Sequence, residues 1–563
     1  MDDNARAHRM KILVVSLLRL GDILLSTTVL RSLKIQYPKA EIHILINGQF
    51  ANVADMIPYV NKVYSFDRDG IQKIIGSQER NLLEAYFRIE DLVEQLQTER
   101  YQKVINLTHN RLSGWLTALI GCTDTKGVMF GNQGKFSVGS EWFDYLNDFV
   151  SEGRANVFHF VDVFHYGAGL TSRDRRIELQ ETELGKAFAE KVLNPLGQKT
   201  VIAIQPFSAE EKKTFSHLKW AEIIRTLKRL DPNLEVLVLG SKNEQESAMV
   251  ICTASKAVPV ICDLNEAFSV LNRVHLLISG DTSIKHLAAA VSKLKILEIS
   301  IGSSEYLKTG AYKDGAIIIQ GLVECAPCSH STPCTQKTHE CADKISAELV
   351  AMSASTMLRH DEAGLRMLAF EDREAVTIAR TIINQNGDWS AYPLGQKMSA
   401  HEINTWIDRT SFKLYLQGVH KQKIGEYGTE SVQLKNLLEN IFPDQSKQDW
   451  STELVNLEKE FEWFELQVEG FLDRLKKLLS HYSNEAGLQT YVGELEEFCT
   501  QAAKSHFSTY GLQISWSLKE IQIQENPFEV IKRMREKLSN AHQRTKIELK
   551  LIRGLKNQFK EAL

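Results

Sequence analysis

Three short stretches hold the residue types and spacings that could do chemistry. In "SGDTSIKHLAAAV", Gly280, Asp281, Thr282, Ser283, Lys285 and His286 stand just ahead of a run of alanines. Gly280 permits a tight turn at the end of the apolar strand "HLLIS", and Asp281, Thr282 and Ser283 are each competent to cap the helix that follows. Backbone N–H groups and hydroxyls at a helix start make a natural phosphate site, where Lys285 or His286 adds charge or a further donor. A well-capped helix explains the same residues without a ligand. In "QPFSAEEKKTFSHLKW", a strand ends at Gln205–Pro206 and a polar loop then holds Ser208, Lys212 and Lys213. Hydroxyls and a lysine on the same sheet edge as "SGDTS" point to a phosphorylated ligand; a solvated lysine pair is the plain alternative. In "LLRLGDILLSTTVLRSLK", one glycine and one acid, Asp22, follow the first strand. The glycines of a G-x-G-x-x-G pyrophosphate cradle are missing there, so Asp22 reads as a helix cap or as a general base at the mouth of a cleft.

Two further groups are singled out by spacing or by place. Cys325, Cys328, Cys334 and Cys341 follow a C-x2-C-x5-C-x6-C pattern, the donor set of a structural four-thiolate zinc or iron site. Buried reduced thiols are the alternative, and Cys122, Cys252, Cys262 and Cys499 read as ordinary core residues. "NLTHNRLSGW" ends a strand that faces the cleft, which makes His109, Asn110 and Arg111 candidate ligand contacts. His159 and His165, in "NVFHFVDVFHYG", sit on an expected helix, where a core or surface role is the commoner use.

These groups need elements to hold them. "KILVVSL", "AEIHILI", "NKVYSF" and "YQKVINL" are strand-like runs separated by helical periodicity, which predicts a parallel sheet covered on both faces. After a polar stretch from Thr171 to Lys199 the alternation restarts with "TVIAIQP", "LEVLVLG", "HLLISG" and "LKILEIS". Two successive α/β domains with a cleft between them follow, and ligands of such sheets bind at the carboxyl ends of the strands. From about Met352 the pattern is helical with charged outer faces and no strand alternation. The expected domains are residues 1–175, 176–358 and a helical extension, 359–563. In the last segment ten Lys/Arg face three Asp/Glu, and Met534, Leu538, Ala541, Leu549, Ile552 and Phe559 form an apolar stripe. A bundle helix is favoured there over a helix lying on anionic lipid.

The whole chain bounds these readings. Its 563 residues, 43% hydrophobic and 25% charged, belong to a soluble globular protein of several domains. A net charge of -4 argues against wholesale nucleic-acid binding. No apolar run reaches the roughly 18 residues of a membrane span, and "MDDNARAHRMKILVV" does not read as a signal peptide. A cytoplasmic protein is expected, with peripheral contact at the inner membrane left open. There is no convincing internal repeat.

The three stretches together resemble glycosyltransferase family 9, the ADP-heptose:lipopolysaccharide heptosyltransferases. "KILVVSLLRLGDILLSTTVLRSLKIQYPKAEIHILI" is similar to the family's opening strand, GD pair and helix, and "SGDTSIKHLAAAV" to its GDTGxxHLAAA signature. "KTFSHLKW" resembles its KxWxxxxW segment with Phe215 for the first tryptophan, "LGSKNEQES" its glycine-plus-acid segment and "TGAY" its TGPY. The likeness runs from about Met10 to Leu358. It implies an α/β GT-B fold of two Rossmann-like domains facing a cleft, here followed by an all-α C-terminal region. It implies an ADP-heptose or related nucleotide-sugar donor, a saccharide acceptor of lipopolysaccharide-core type and inverting transfer, with no cofactor required for catalysis.

On that resemblance Asp22 is the general base, and Lys213, Ser208, Thr282, Ser283 and the helix start at Gly280 stabilise the leaving diphosphate. Asp281 orders the turn, His286 belongs to the donor site, and Glu244 or Glu246 meets the ribose hydroxyls. Arg19 joins His109, Asn110 and Arg111 on the acceptor side. Ser283 departs from the family's glycine and narrows the approach to the diphosphate, while the intact "RLGD" counts against a dead enzyme. Protein-heptosylating relatives use cysteines in this region to bind iron. Together with the extension, which could dock a polypeptide or mediate oligomers, they keep a protein acceptor open as the alternative bacterial function. A non-catalytic scaffold is the third reading.

Overall fold

The β-branched runs of the first third build a parallel sheet, as their alternation with helices requires. A computed structural model of the chain describes residues 9–76, 81–131, 136–149, 156–330, 332–395, 398–418, 428–442, 446–480, 485–502 and 527–560. The first sheet consists of β1 (Lys11–Ser16), β2 (Glu41–Asn47), β3 (Lys62–Phe66), β4 (Lys103–Asn106) and β5 (Thr125–Lys126), in the order β3-β2-β1-β4-β5. All its pairings are parallel. A short antiparallel ribbon, β6 (Met129–Phe130) and β7 (Phe136–Ser137), follows in the chain.

The second sheet repeats that order and extends it. Its strands are β8 (Thr200–Gln205), β9 (Leu234–Gly240), β10 (Val258–Ile261), β11 (Leu276–Ser279), β12 (Lys295–Ser300) and β13 (Ile317–Gly321). Two more, β14 (Val376–Ile383) and β15 (Trp389–Pro393), complete the order β10-β9-β8-β11-β12-β13-β14-β15. Pairing is parallel as far as β13 and antiparallel beyond it. Residues 376–393 therefore differ from the expected helical extension beginning at 359: they carry two strands. "VTIARTII" is rich in β-branched residues and mixes buried with half-buried positions, as a strand toward the edge of a sheet does. The polar stretch 171–199 likewise contains a helix, Glu183–Leu193, capped by the Thr182 hydroxyl.

Both sheets are Rossmann-like: chain order reverses between β1 and β4 in the first and between β8 and β11 in the second. At such a switch point the adjoining helices lie on opposite faces, which opens a crevice at the strands' carboxyl ends. Ile12, Leu13, Val14 and Val15 on β1 and Ile202, Ala203 and Ile204 on β8 are fully buried, so each crevice is floored by a rigid central strand. One compact unit, Met1–Asn147 with Phe158–Gly395, holds both sheets.

The other unit is Asp148–Val157 with Gln396–Leu563. Its described helices are Ala400–Leu416, Gly428–Ile441, Lys447–Ser480, Glu485–Ala502 and Pro527–Lys560. Leu454, Leu457, Phe461, Phe464, Val468, Phe471 and Leu475 recur at spacings of three and four and are all buried, the knob spacing of a helical bundle. Met534, Leu538, Ala541, Leu549, Ile552 and Phe559 are buried as well. Arg553 and Lys556 bond Glu458 on helix Lys447–Ser480. The basic last helix is thus a bundle member. Among the described residues no helix is long and apolar enough to cross a membrane.

Candidate functional site

The chain gathers its polar groups at both switch points. Asp22 enters from the loop after β1, on the first turn of helix Leu20–Gln36, where its Oδ2 accepts the Arg19 backbone N–H at 3.2 Å. It is a cap in geometry. Burial nevertheless raises its pKa above the ordinary aspartate value, against the Arg19 N–H and the charges of Arg19 and Lys308; Asp281 adds to the rise. A carboxylate with a raised proton affinity is the kind that serves as a base near neutral pH.

Facing it, the loops after β8 and β11 are pinned together by charge. Lys213 is buried, and its Nζ donates to Asp281 Oδ2 at 3.0 Å. Burial works against the Asp281 carboxylate, but Lys285 and Lys213 outweigh it and hold its pKa far below the usual range. Asp281 is therefore an anchor for the two lysines. Thr282 occupies the N-cap position of helix Ser283–Ala289 without capping it; its hydroxyl donates to Gln205 Oε1 at 3.1 Å instead. Gly280 is not in the left-handed region, so the expected tight turn is not its reason. A Cβ there would lie 3.2 Å from the Lys213 carbonyl oxygen, and close approach of the two loops is what glycine allows.

The two crevices approach one another closely. A Cβ on Gly21 would lie 3.2 Å from His286 Cδ2, so the turn that carries Asp22 rests on the His286 ring. Burial first, then the Lys285 charge, pushes the His286 pKa well below the ordinary histidine value. Its Nδ1 is buried without a hydrogen-bond partner among the described residues. Arg19 Nη1 reaches Glu210 Oε1 at 3.3 Å, a second link from the first sheet's loop to the second's. Glu210 also accepts from the Ser303 hydroxyl at 2.7 Å and lies 3.1 Å from His330 Nδ1. Burial opposes its charge, yet Ser303, Lys213 and His330 outweigh that and hold its pKa at about 2.

Other expected residues are engaged differently. The Ser208 hydroxyl accepts the Glu210 N–H at 3.2 Å and so shapes the loop before Lys213. Ser283 is half-buried at the first position of its helix. Glu244 Oε2 accepts the Ser241 N–H at 2.8 Å as a local cap, whereas Glu246 is exposed on helix Gln245–Ser255. On the first sheet, Asn110 caps helix Arg111–Ile120 by accepting from Ser113 N at 2.9 Å. His109 packs 5.2 Å from the Phe143 ring, and Arg111 is exposed. Phe215 and Trp220 stand 5.3 Å apart and are both buried, so the "KTFSHLKW" aromatics are core. His159 caps helix Phe160–Gly167 through Nδ1, and its Nε2 meets the Gly310 carbonyl at 2.9 Å.

The four thiols of the cysteine segment are a suitable soft donor set by chemistry. Burial raises the Cys341 pKa, with Cys325, Cys328 and Cys334 close enough to add to it, and Cys341 Sγ accepts the Gly302 N–H at 3.3 Å. Among the described residues, however, no group of three His, Cys, Asp or Glu side chains is arranged to hold a metal ion. The segment also grips the loop after β8. The Lys212 ammonium donates to the backbone carbonyls of Ser329, His330 and Thr332 at 2.6, 3.3 and 2.6 Å.

Sequence reasoning missed Glu210, Glu298, Ser303 and Lys308. The signal for Glu298 was present: a lone carboxylate in the apolar strand "LKILEIS" requires a buried cation.

Two Rossmann-like sheets with polar loops meeting at their switch points make this an α/β protein of GT-B type with an α-helical C-terminal region. Residues 89–339 match the model of glycosyltransferase family 9 (heptosyltransferase). The chain carries a family 9 glycosyltransferase region and is a glycosyltransferase; Asp22 precedes the matched stretch. The family 9 glycosyl transferase of Veillonella parvula DSM 2008 is similar at 18% identity, TM-score 0.49, over 62% of this chain and 98% of that one. The E. coli ADP-heptose LPS heptosyltransferase II is similar at 19% identity, TM-score 0.45, over 63% and 100%. The iron-containing dodecameric glycosyltransferase TibC of enterotoxigenic E. coli H10407 is similar at 13% identity, TM-score 0.37, over 63% and 80%. No curated protein matches.

Proposed function

We propose that the protein transfers heptose, with inversion, from ADP-heptose to a saccharide acceptor of lipopolysaccharide-core type. The observation that carries this reading is the meeting of a base-like carboxylate, Asp22, with the lysine-bearing loops of the second sheet, where a Cβ on Gly21 would lie 3.2 Å from His286 Cδ2. An acceptor hydroxyl attacks the anomeric carbon and its proton passes to Asp22. The bond from that carbon to the diphosphate breaks on the opposite face, and ADP leaves with the electron pair. Lys213, with Ser208, Thr282 and Ser283, meets the negative charge that builds on the diphosphate. Residues 1–175 hold the acceptor, with Arg19, His109, Asn110 and Arg111 on its side. Residues 176–358 hold the donor, with Glu244 or Glu246 at the ribose. No metal takes part in the transfer; a zinc or iron ion at Cys325, Cys328, Cys334 and Cys341 would have a structural role.

The test is ADP release from ADP-heptose with and without a deep-rough lipopolysaccharide acceptor. Release that requires the acceptor is expected. Donor binding without turnover on the saccharide would move the assignment to a polypeptide acceptor. Failure to bind any ADP-sugar would refute the donor.

A further inference from the structure

Lys285 has no solvent exposure at all, yet it carries a full charge beside the donor loops. Its Nζ donates to Asp281 Oδ1 at 2.7 Å, to Glu298 Oε1 at 2.8 Å and to the Thr309 carbonyl at 2.8 Å. An ammonium has three N–H donors, so all are used. Glu298, on β12, is equally buried, and its other oxygen accepts the Ala311 N–H at 2.8 Å. Burial works against the Lys285 ammonium, but Asp281 and then Glu298 outweigh it and keep its pKa above the ordinary lysine value. A continuous chain results: the Ala311 amide, Glu298, Lys285, Asp281, Lys213.

Buried ion pairs of this kind seldom add stability over an apolar pair of the same size. What Lys285 and Glu298 supply to the site is geometry. Lys285 occupies Oδ1 of Asp281 and leaves Oδ2 alone for Lys213, at 3.0 Å. Glu210 is 3.8 Å from the Lys213 ammonium, beyond hydrogen-bond range. Lys213 thus makes one hydrogen bond among the described residues, and two of its donors stay unused. Without Lys285, both oxygens of Asp281 would be available to Lys213 and would draw the ammonium onto the carboxylate.

We propose that Lys285, backed by Glu298, is a positioning residue for the donor diphosphate: it fixes Asp281 so that Lys213 presents two N–H groups to the phosphates. The inference rests on the donor reading above. Removing both charges tests it without stranding either one, in the full-length Lys285→Met/Glu298→Gln variant. ADP and adenosine are titrated calorimetrically into wild type and variant, and Tm is recorded for each ligand-free protein. Wild type is expected to bind ADP more tightly than adenosine. The variant is expected to lose ADP affinity by about tenfold, with adenosine affinity unchanged, and its kcat/KM for ADP-heptose falls in parallel. Equal ADP affinity in variant and wild type would overturn the proposal, as would equal losses for ADP and adenosine. Wild type that binds adenosine as well as ADP would instead refute the diphosphate site itself, and with it the donor reading. Should the double variant not fold, Lys285→Met removes the donor from Asp281 Oδ1 while Glu298 keeps its Ala311 N–H, and it is expected to show the same loss confined to ADP.

Discussion

His165 makes stability sensitive to mild acid. It lies in helix Phe160–Gly167, which packs on helix Leu20–Gln36, the carrier of Asp22. The ring is fully buried, and neither nitrogen has a hydrogen-bond partner among the described residues. Burial, reinforced by the Arg175 charge and opposed by Asp388, pushes its pKa down to about 3. In the unfolded chain the same ring takes up a proton near pH 6.5. Between those two values the unfolded state binds the extra proton, so stability is lost as pH falls from about 6.5 toward about 3. The loss is about 1.4 kcal/mol for each pH unit below about 6.5, hence about 2 kcal/mol at about pH 5. His165→Leu removes the titration and keeps an apolar side chain in the site. Urea unfolding at about pH 7 and about pH 5 is the assay, and the wild type is expected to lose about 2 kcal/mol more than the variant between them. Equal losses would mean that the imidazole finds a proton partner or solvent in the native state, and would refute the reasoning.

Two further perturbations read the scaffold around and beyond the site. Gly302 has a φ of +64°, and a Cβ there would fall 2.0 Å from the Lys212 carbonyl oxygen. Gly302→Ala is expected to cost about 1–3 kcal/mol in urea unfolding and to weaken ADP binding, because the loop carrying Lys213 must shift; an unchanged ADP affinity would separate that loop from the donor. In the helical unit Arg544 is buried against Asp408, with Glu548 at 3.9 Å and the Phe412 ring centroid 3.9 Å from its guanidinium. Arg544→Met leaves two buried carboxylates short of a cation and is expected to destabilise by about 3–5 kcal/mol, read as a lower urea midpoint; a change within about 1 kcal/mol would contradict the account of this polar layer.

Strand identity was legible where β-branched runs stood between helical ones, and "KILVVSL", "LEVLVLG" and "LKILEIS" became β1, β9 and β12. The place of Asp22 was legible too, since an acid one turn into the helix after β1 has to lie at the switch point. β14 and β15 were not, because an antiparallel addition after helices Ala347–Arg359 and Glu362–Glu371 breaks the alternation that marked the others. Partnerships were the least legible. Lys213 and Asp281 are 68 positions apart, and Arg19 and Glu210 are 191 apart. Only the folded sheets bring such pairs together, which is why the part played by Glu210 was not legible.

Asp22 is both a cap and, in the proposed reaction, the base, and one substitution separates the two roles. Asp22→Asn keeps an oxygen able to accept the Arg19 N–H but cannot take a proton from the acceptor. The deciding measurement is single-turnover transfer from ADP-heptose to the lipopolysaccharide acceptor by wild type and Asp22→Asn, at saturating donor, with ADP affinity measured on both. Transfer slowed by about a hundredfold to ten-thousandfold, with ADP affinity and Tm held, is the expected result. Transfer within a few-fold of wild type would leave Asp22 a cap and contradict its assignment as the base.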